Sequence, residues 1–150
     1  MKKLILLLPL ILSSLGNAEE SDRSAYIRSH YAKYEYRIPM RDGTLLFTSV
    51  FLPYDRSQTY PLLLLRTPYN IGPYGADQYP HTLGPAEAFE KEGFIFVFQD
   101  VRGSFMSEGD FVNMRPSRHA EKTAGDVDES TDTWDTIEWL VKNIPGHNGR

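Results

Sequence analysis

In the segment GFIFVFQDVRGSFMSEGDF, Gly93 to Phe111, an apolar run from Phe94 to Phe98 gives way abruptly to Gln99, Asp100 and Arg102. A carboxylate delivered by the end of a buried strand can act as a base or an orienting group, and ligands of open α/β sheets collect at strand carboxyl ends. Asp100 can instead pair with Arg102 or with loop amides and pin the loop that contains Gly103. Breaking such a buried pair leaves an uncompensated charge. Bracing is the expected role. Tyr69, in RTPY, likewise follows an apolar run, Leu62 to Leu65, with Pro68 stiffening the approach. A phenol there can donate a hydrogen bond to a developing oxyanion. The competing role is an amphipathic ring packed under its own loop.

Other candidates are weaker. The acidic stretch DVDESTDTWD has no glycine at the sixth position counted from Asp126 and Ile137 at the twelfth, so the calcium-loop pattern fails and helix capping is expected. His30, His81, His119 and His147 are isolated and lack zinc-ligand spacing. No serine lies in a G-x-S-x-G elbow, and GSFMSEG has the wrong spacing. Neither a metal nor another cofactor is expected.

The elements that would hold these residues follow from pattern. YAKYEYRIPM alternates as a strand with Tyr34, Tyr36 and Ile38 on one face, RDG at Arg41 to Gly43 is a turn, and TLLFTSVFLP is a second strand, so the three predict an antiparallel hairpin. Leu62–Leu65 and Phe94–Phe98 are short continuous apolar runs expected to be strands buried on both faces. The long loop between them holds Tyr74 and Tyr79, which could line a pocket or simply pack the loop, and a loop of this length is usually functional or disordered. AEAFEKEG predicts a short helix stopped by Gly93. STDTWDTIEWLVKNI predicts a helix capped by Ser130 or Asp132, with Trp134, Ile137, Leu140 or Val141, and Ile144 at helical spacing, ended by Pro145 and Gly146. Hairpin, strand, helix, strand, helix is the opening of an α/β sheet with right-handed crossovers.

The chain of 150 residues opens with MKKLILLLPLILSSLGNA, which has two lysines, an apolar run from Leu4 to Leu12, and small residues Gly16 and Ala18 spaced for signal peptidase. The run is short and contains Pro9, so residues 1–18 are expected to be a cleaved export signal rather than a membrane span. Periplasm or medium is the expected location. Cysteine is absent, so stability rests on burial rather than disulfides. Net charge is −4 with signs interspersed, and neither a basic patch nor a basic amphipathic segment points to nucleic acid or a membrane surface.

Four linked segments, PMRDGTLLFTSVFLP, LLLLRTPYN, EGFIFVFQDVRGSFMSEGDF and DTWDTIEWLVKNIPGHNGR, resemble in order and spacing the N-terminal part of the Xaa-Pro dipeptidyl-peptidase and cocaine-esterase-like branch of α/β-hydrolases, nearest the α-amino-acid ester hydrolases. The resemblance covers about Tyr26 to Arg150, so residues 19–150 would be the N-terminal portion of such a domain. It implies a serine hydrolase acting on small esters, amides or dipeptide-type substrates through an acyl-enzyme, with homo-oligomers possible in the longer form. The implied nucleophile sits in a G-x-S-Y-x-G elbow beyond NGR, so no triad residue is assigned in this chain, which alone would be inactive. One catalytic position maps: the tyrosine of R-[TN]-P-Y, whose hydroxyl helps form the oxyanion hole, is Tyr69. The D-x-R-G-x-x-x-S-x-G segment matches Asp100, Arg102, Gly103, Ser107 and Gly109, and is read as structural.

Two strands needing cover on both faces have only two predicted helices to supply it, and each large apolar side chain left in water forgoes roughly 1.5–3 kcal/mol. The expectation is therefore an incomplete sheet, the front of something longer. The alternative is a short, non-catalytic exported protein that pairs with a partner through exposed sheet edges.

Overall fold

The computed structural model describes residues 23–113 and 126–149. The export signal expected at residues 1–18, and His119, lie outside them. A helix, α1, occupies residues 23–30, ahead of the first predicted strand. It is followed by β1 (Tyr31–Pro39), β2 (Leu45–Pro53), β3 (Leu62–Thr67), α2 (Glu87–Glu92), β4 (Ile95–Asp100) and α3 (Glu129–Asn143). The four strands form one mixed sheet in the order β1-β2-β4-β3.

The hairpin is as expected. β1 and β2 pair antiparallel from Tyr31 opposite Pro53 to Pro39 opposite Leu45. Gly43, at φ +84°, closes the turn, where the Met40 and Gly43 amides donate to the Thr44 and Met40 carbonyls. β4 inserts beside β2, antiparallel, and β3 adds in parallel on its far side. The α/β architecture with a parallel β3–β4 pair matches the sequence expectation. After α3 the chain returns beside β3: the Tyr60 amide donates to Gly146 O and the Asn148 amide to Tyr60 O, a parallel bridge where the next strand is expected to begin.

Strand alternation gives each sheet face its own core. One face gathers Ile38, Leu46, Val50, Ile95 and Val97 beneath Leu140 of α3 and Ile144, which caps that helix. The other gathers Tyr31, Phe51 and Phe96 beneath Ile27 of α1, with Phe89 of α2 and Tyr79 of the long loop packed against them. β4, central in the sheet, is buried along most of its length, as predicted.

Two expectations need correction. β3 is at the sheet edge and only partly covered, with Leu65 52% exposed, because β4 flanks it on one side only. The buried face of α3 keeps only part of its expected apolar stripe, Leu140 and the C-capping Ile144. Trp134, Ile137 and Val141 are exposed, while Thr131, Asp132, Thr136 and Leu140 face inward. The helix turns this way because its inward polar groups are satisfied: Asp132 by Arg102, and Thr136 by Gln99. The cap differs too. Asp128, not Ser130 or Asp132, accepts from Thr131 N, and Thr131 Oγ1 accepts from Asp128 N, a reciprocal capping box. Ser130 supports the cap by donating to Asp128 Oδ1 at 2.8 Å.

Candidate active site

The carboxyl ends of β3 and β4 lie side by side, with Thr67 paired to Asp100. Tyr69 follows β3 by two residues and is 84% exposed, so its ring is not packed under the loop. Its amide donates to Thr67 Oγ1 at 3.0 Å, which fixes the backbone as it leaves the strand. The side chain therefore stands in solvent at the end of the sheet where ligands of such folds bind.

Asp100 holds the loop behind it. The carboxylate is fully buried and accepts from Ile71 N at 3.2 Å, Tyr74 Oη at 2.9 Å and Met106 N at 3.3 Å. One side chain thus ties the Tyr69 loop to the loop after β4. Burial, reinforced by the Asp100 carboxylate, pushes the Tyr74 phenol well above its usual range and keeps it a protonated donor. Asp100 binds loop groups rather than Arg102, so of the two partners sequence offered it takes the second.

Arg102 turns the other way. Its Nε and Nη2 donate to Asp132 Oδ2 and Oδ1 at 2.9 and 2.7 Å, and its Nη1 donates to Asp42 Oδ2 and Thr44 Oγ1, each at 2.7 Å. The guanidinium so joins the hairpin turn, the β4 loop and α3. Hydrogen bonding to it holds the Asp42 carboxyl below its ordinary value. Ser107 Oγ donates to Asp100 O at 2.6 Å and accepts from Phe47 N at 2.8 Å. At Gly103, φ is +69° and an added Cβ would stand 2.0 Å from Phe111 N, while one on Gly109 would meet the Arg102 stem at 2.8 Å. Every residue of the D-x-R-G-x-x-x-S-x-G pattern has a structural task here.

The acidic segment is likewise occupied. Asp128 caps α3, Asp132 binds Arg102, Asp135 binds Arg41, and Glu129 meets Arg66 at 3.1 Å. Among the described residues, no group of three or more His, Asp or Glu is arranged to hold a metal. Arg66, at the end of β3, donates through Nε to Gln99 Oε1 at 2.7 Å and through Nη1 to Thr133 Oγ1 at 2.7 Å. His30 stacks on Tyr26 at 3.9 Å between centroids, and His147 contacts Val141 O, both away from Tyr69 in their bonding.

Sequence reasoning missed several partners. Asp42 and Asp132 lie 60 and 30 residues from Arg102, and Lys33 and Glu35, which grip the long loop, carry no motif. The only local hint is Lys33 standing between Tyr31 and Glu35 on one face of an alternating strand.

Comparison with known proteins agrees with this geometry. Residues 42–150 match the family model described as X-Pro dipeptidyl-peptidase (S15 family). The chain is 33% identical over 105 residues to a cocaine esterase of Rhodococcus sp. (strain MB1 Bresler), an alignment covering 70% of this chain and 16% of that protein. It resembles the crystal structure of an aminopeptidase from a marine sediment Thaumarchaeota archaeon, with TM-score 0.66, 40% identity, and coverage of 81% of this chain and 20% of that one. It also resembles an α-amino acid ester hydrolase structure, with TM-score 0.66, 41% identity, and coverage of 85% and 21%. The chain thus spans between 16% and 21% of the length of these relatives. The matched residues 42–150 include the R-T-P-Y segment that ends β3 and the braced loop after β4, and the chain belongs to the X-Pro dipeptidyl-peptidase (S15) family.

Proposed function

We propose that this chain furnishes the oxyanion-binding side of an exported serine hydrolase that cleaves ester or amide bonds through an acyl-enzyme. The observation that carries the reading is Tyr69, exposed beside the carboxyl ends of two parallel strands on a loop anchored by Asp100. Its hydroxyl would donate to the oxygen of the tetrahedral intermediate, which bears full negative charge, more strongly than to the ground-state carbonyl. The nucleophilic serine, its histidine base and the orienting aspartate come, on this reading, from sequence beyond Arg150, and residues 1–18 direct export. The parallel return of residues 146–148 beside Tyr60 supports it, since a strand continuing that path would run along the free edge of β3 toward Tyr69. Substrates would be small esters, amides or dipeptide-type molecules, in keeping with a dipeptidyl-peptidase family and with relatives that are a cocaine esterase and an α-amino acid ester hydrolase.

The test is Tyr69→Phe in the full-length protein, assayed on p-nitrophenyl esters and an Xaa-Pro anilide. Losing one oxyanion donor costs on the order of 100- to 1000-fold in kcat. A variant with near-normal kcat removes Tyr69 from the mechanism.

The exposed Leu65 on the β3 edge, with Trp134, Ile137 and Val141 on α3, favours one second reading: a non-catalytic protein that pairs through this edge. Absence of any hydrolysis by the full-length protein, together with a stable hetero-complex, would select it.

A further inference from the structure

Lys33 is a lysine in an unusual place. It is on β1, 6% exposed, and its ammonium donates to Pro73 O at 2.6 Å, Gly75 O at 2.9 Å and Gln78 O at 2.9 Å. Glu35 Oε1, at 2.9 Å, supplies the counter-charge and itself accepts from Gly75 N at 2.7 Å. The ammonium lies 5.7 Å from the centre of the Phe51 ring, and the Tyr79 hydroxyl bridges the Lys33 amide and Tyr31 O. Lysine is almost never buried unless paired, because desolvating an ammonium is costly. Here an ammonium's three donors and a carboxylate are all used on one loop, and that loop begins at Tyr69.

The loop is thus held at two points. Asp100 grips Ile71 and Tyr74 from the β4 side, and Lys33 with Glu35 grips Pro73, Gly75 and Gln78 from the β1 side. The two grips interleave, since Tyr74 is bound by one and its neighbours Pro73 and Gly75 by the other. A neutral side chain would take the Lys33 donor from Pro73 O and Gln78 O, while Gly75 O would keep only the Gln78 amide. A grip of this kind, on the far limb of the loop, sets where the near limb and its tyrosine stand.

We infer that the Lys33–Glu35 pair is a positioning device for Tyr69, fixing the hydroxyl through the 70–79 loop rather than touching substrate. This rests on the hydrolase reading above for its kinetic consequence, but not for its structural one. A displacement of about 1 Å in a catalytic group can cost on the order of 100-fold, so a loosened loop should register in kcat.

The experiment is a double-mutant cycle with Lys33→Met and Tyr69→Phe in the full-length protein, with amide hydrogen exchange measured on each variant. Lys33→Met is expected to speed exchange at residues 71–79 by about tenfold while leaving β4 unchanged. It is expected to lower kcat about tenfold when Tyr69 is present and less than about twofold when it is phenylalanine, since the lost positioning then has nothing to act on. Additive losses, or unchanged exchange at 71–79, overturn the inference. Should Lys33→Met not fold, Glu35→Gln keeps an acceptor for Gly75 N but removes the charge, and the same non-additivity and the same exchange change, smaller in size, are expected. Should Tyr69→Phe prove as active as the wild type, the oxyanion assignment fails by itself. The positioning of Tyr69 then has no function, and the inference falls with it, even where exchange shows that Lys33 holds the loop.

Discussion

Arg102 and Asp132 meet in a two-pronged ion pair, Nε to Oδ2 at 2.9 Å and Nη2 to Oδ1 at 2.7 Å, with side chains only 6% and 2% exposed. Such a pair is weak evidence for net stability, but removing one partner strands the other charge in the interior and costs about 3–5 kcal/mol. Asp132→Asn should therefore destabilise the full-length protein strongly, and Arg102→Met should do so as well. Replacing both by apolar residues together should recover a large part of the loss. Denaturant midpoints of the three variants decide this, and single variants with wild-type midpoints would show that the pair bears no load.

Acid should loosen the same corner. The Asp42 carboxyl is held below its ordinary value of 3.8 first by its hydrogen bond to Arg102, and Asp135 below 3.8 first by its hydrogen bond to Arg41. A depressed folded-state pKa contributes stability that is present above the unfolded value and lost as pH falls through the folded one. The loss should therefore begin near pH 4 and continue below it. Asp42→Asn and Asp135→Asn should each flatten the acid limb of a stability–pH profile while leaving its neutral slope unchanged. A profile of unchanged steepness in both variants would contradict the linkage.

Gly103 has two reasons to lack a side chain. Its φ of +69° is in the left-handed region, and a Cβ would stand 2.0 Å from the Phe111 amide nitrogen, a backbone atom with little room to yield. Its own amide donates to Glu108 O at 2.8 Å, so moving it opens the loop that surrounds Ser107. Gly103→Ala should cost at least about 1–3 kcal/mol, more than ordinary backbone strain alone. A Gly43→Ala control at φ +84°, with nothing within 4 Å, isolates the strain from the clash. Equal losses in the two variants would mean that the close approach to Phe111 is unimportant.

What could be read in the sequence was local. The R-D-G turn and the Gly93 stop depend on backbone preferences within a few residues, and both stand where expected. The bracing role of Asp100 was legible because a charged group after an apolar strand must find donors, although which donors it finds was not. Arg102 pairs across 30 and 60 residues of chain, a separation no local pattern encodes. The orientation of α3 was illegible for the same reason. Its periodicity marks Trp134, Ile137, Leu140 or Val141, and Ile144, of which Leu140 and Ile144 are buried, but Arg102 and Gln99 turn Asp132 and Thr136 inward and leave Trp134 and Ile137 outside. Leu62–Leu65 and Phe94–Phe98 look equally buried in sequence, and only the insertion of β4 beside β2 makes one central and the other an edge. Asp128 was overlooked as the cap because carboxylates and hydroxyls crowd that turn, and Asp132 was already committed to Arg102.

Whether Asp100 braces or reacts is decided by an isosteric change. Its Oδ1 accepts from Ile71 N, and its Oδ2 accepts from Tyr74 Oη and Met106 N. In Asp100→Asn one of these positions becomes an NH2 group. Placed at Oδ1, it confronts the Ile71 amide. Placed at Oδ2, it can be accepted by a rotated Tyr74 hydroxyl but still confronts the Met106 amide. Either way a partly buried N–H loses its acceptor, at up to about 1–3 kcal/mol. A brace therefore predicts that Asp100→Asn lowers stability by about that amount and reduces kcat in proportion to how far the Tyr69 loop moves. Tyr74→Phe removes one donor and leaves the carboxylate its two amides, so it should cost less, about 1 kcal/mol. A catalytic base predicts the reverse: intact stability and a loss of about 100- to 10,000-fold in rate from Asp100→Asn, with Tyr74→Phe nearly silent. Stability and kcat measured side by side on the two variants separate the roles, and we expect the stability loss.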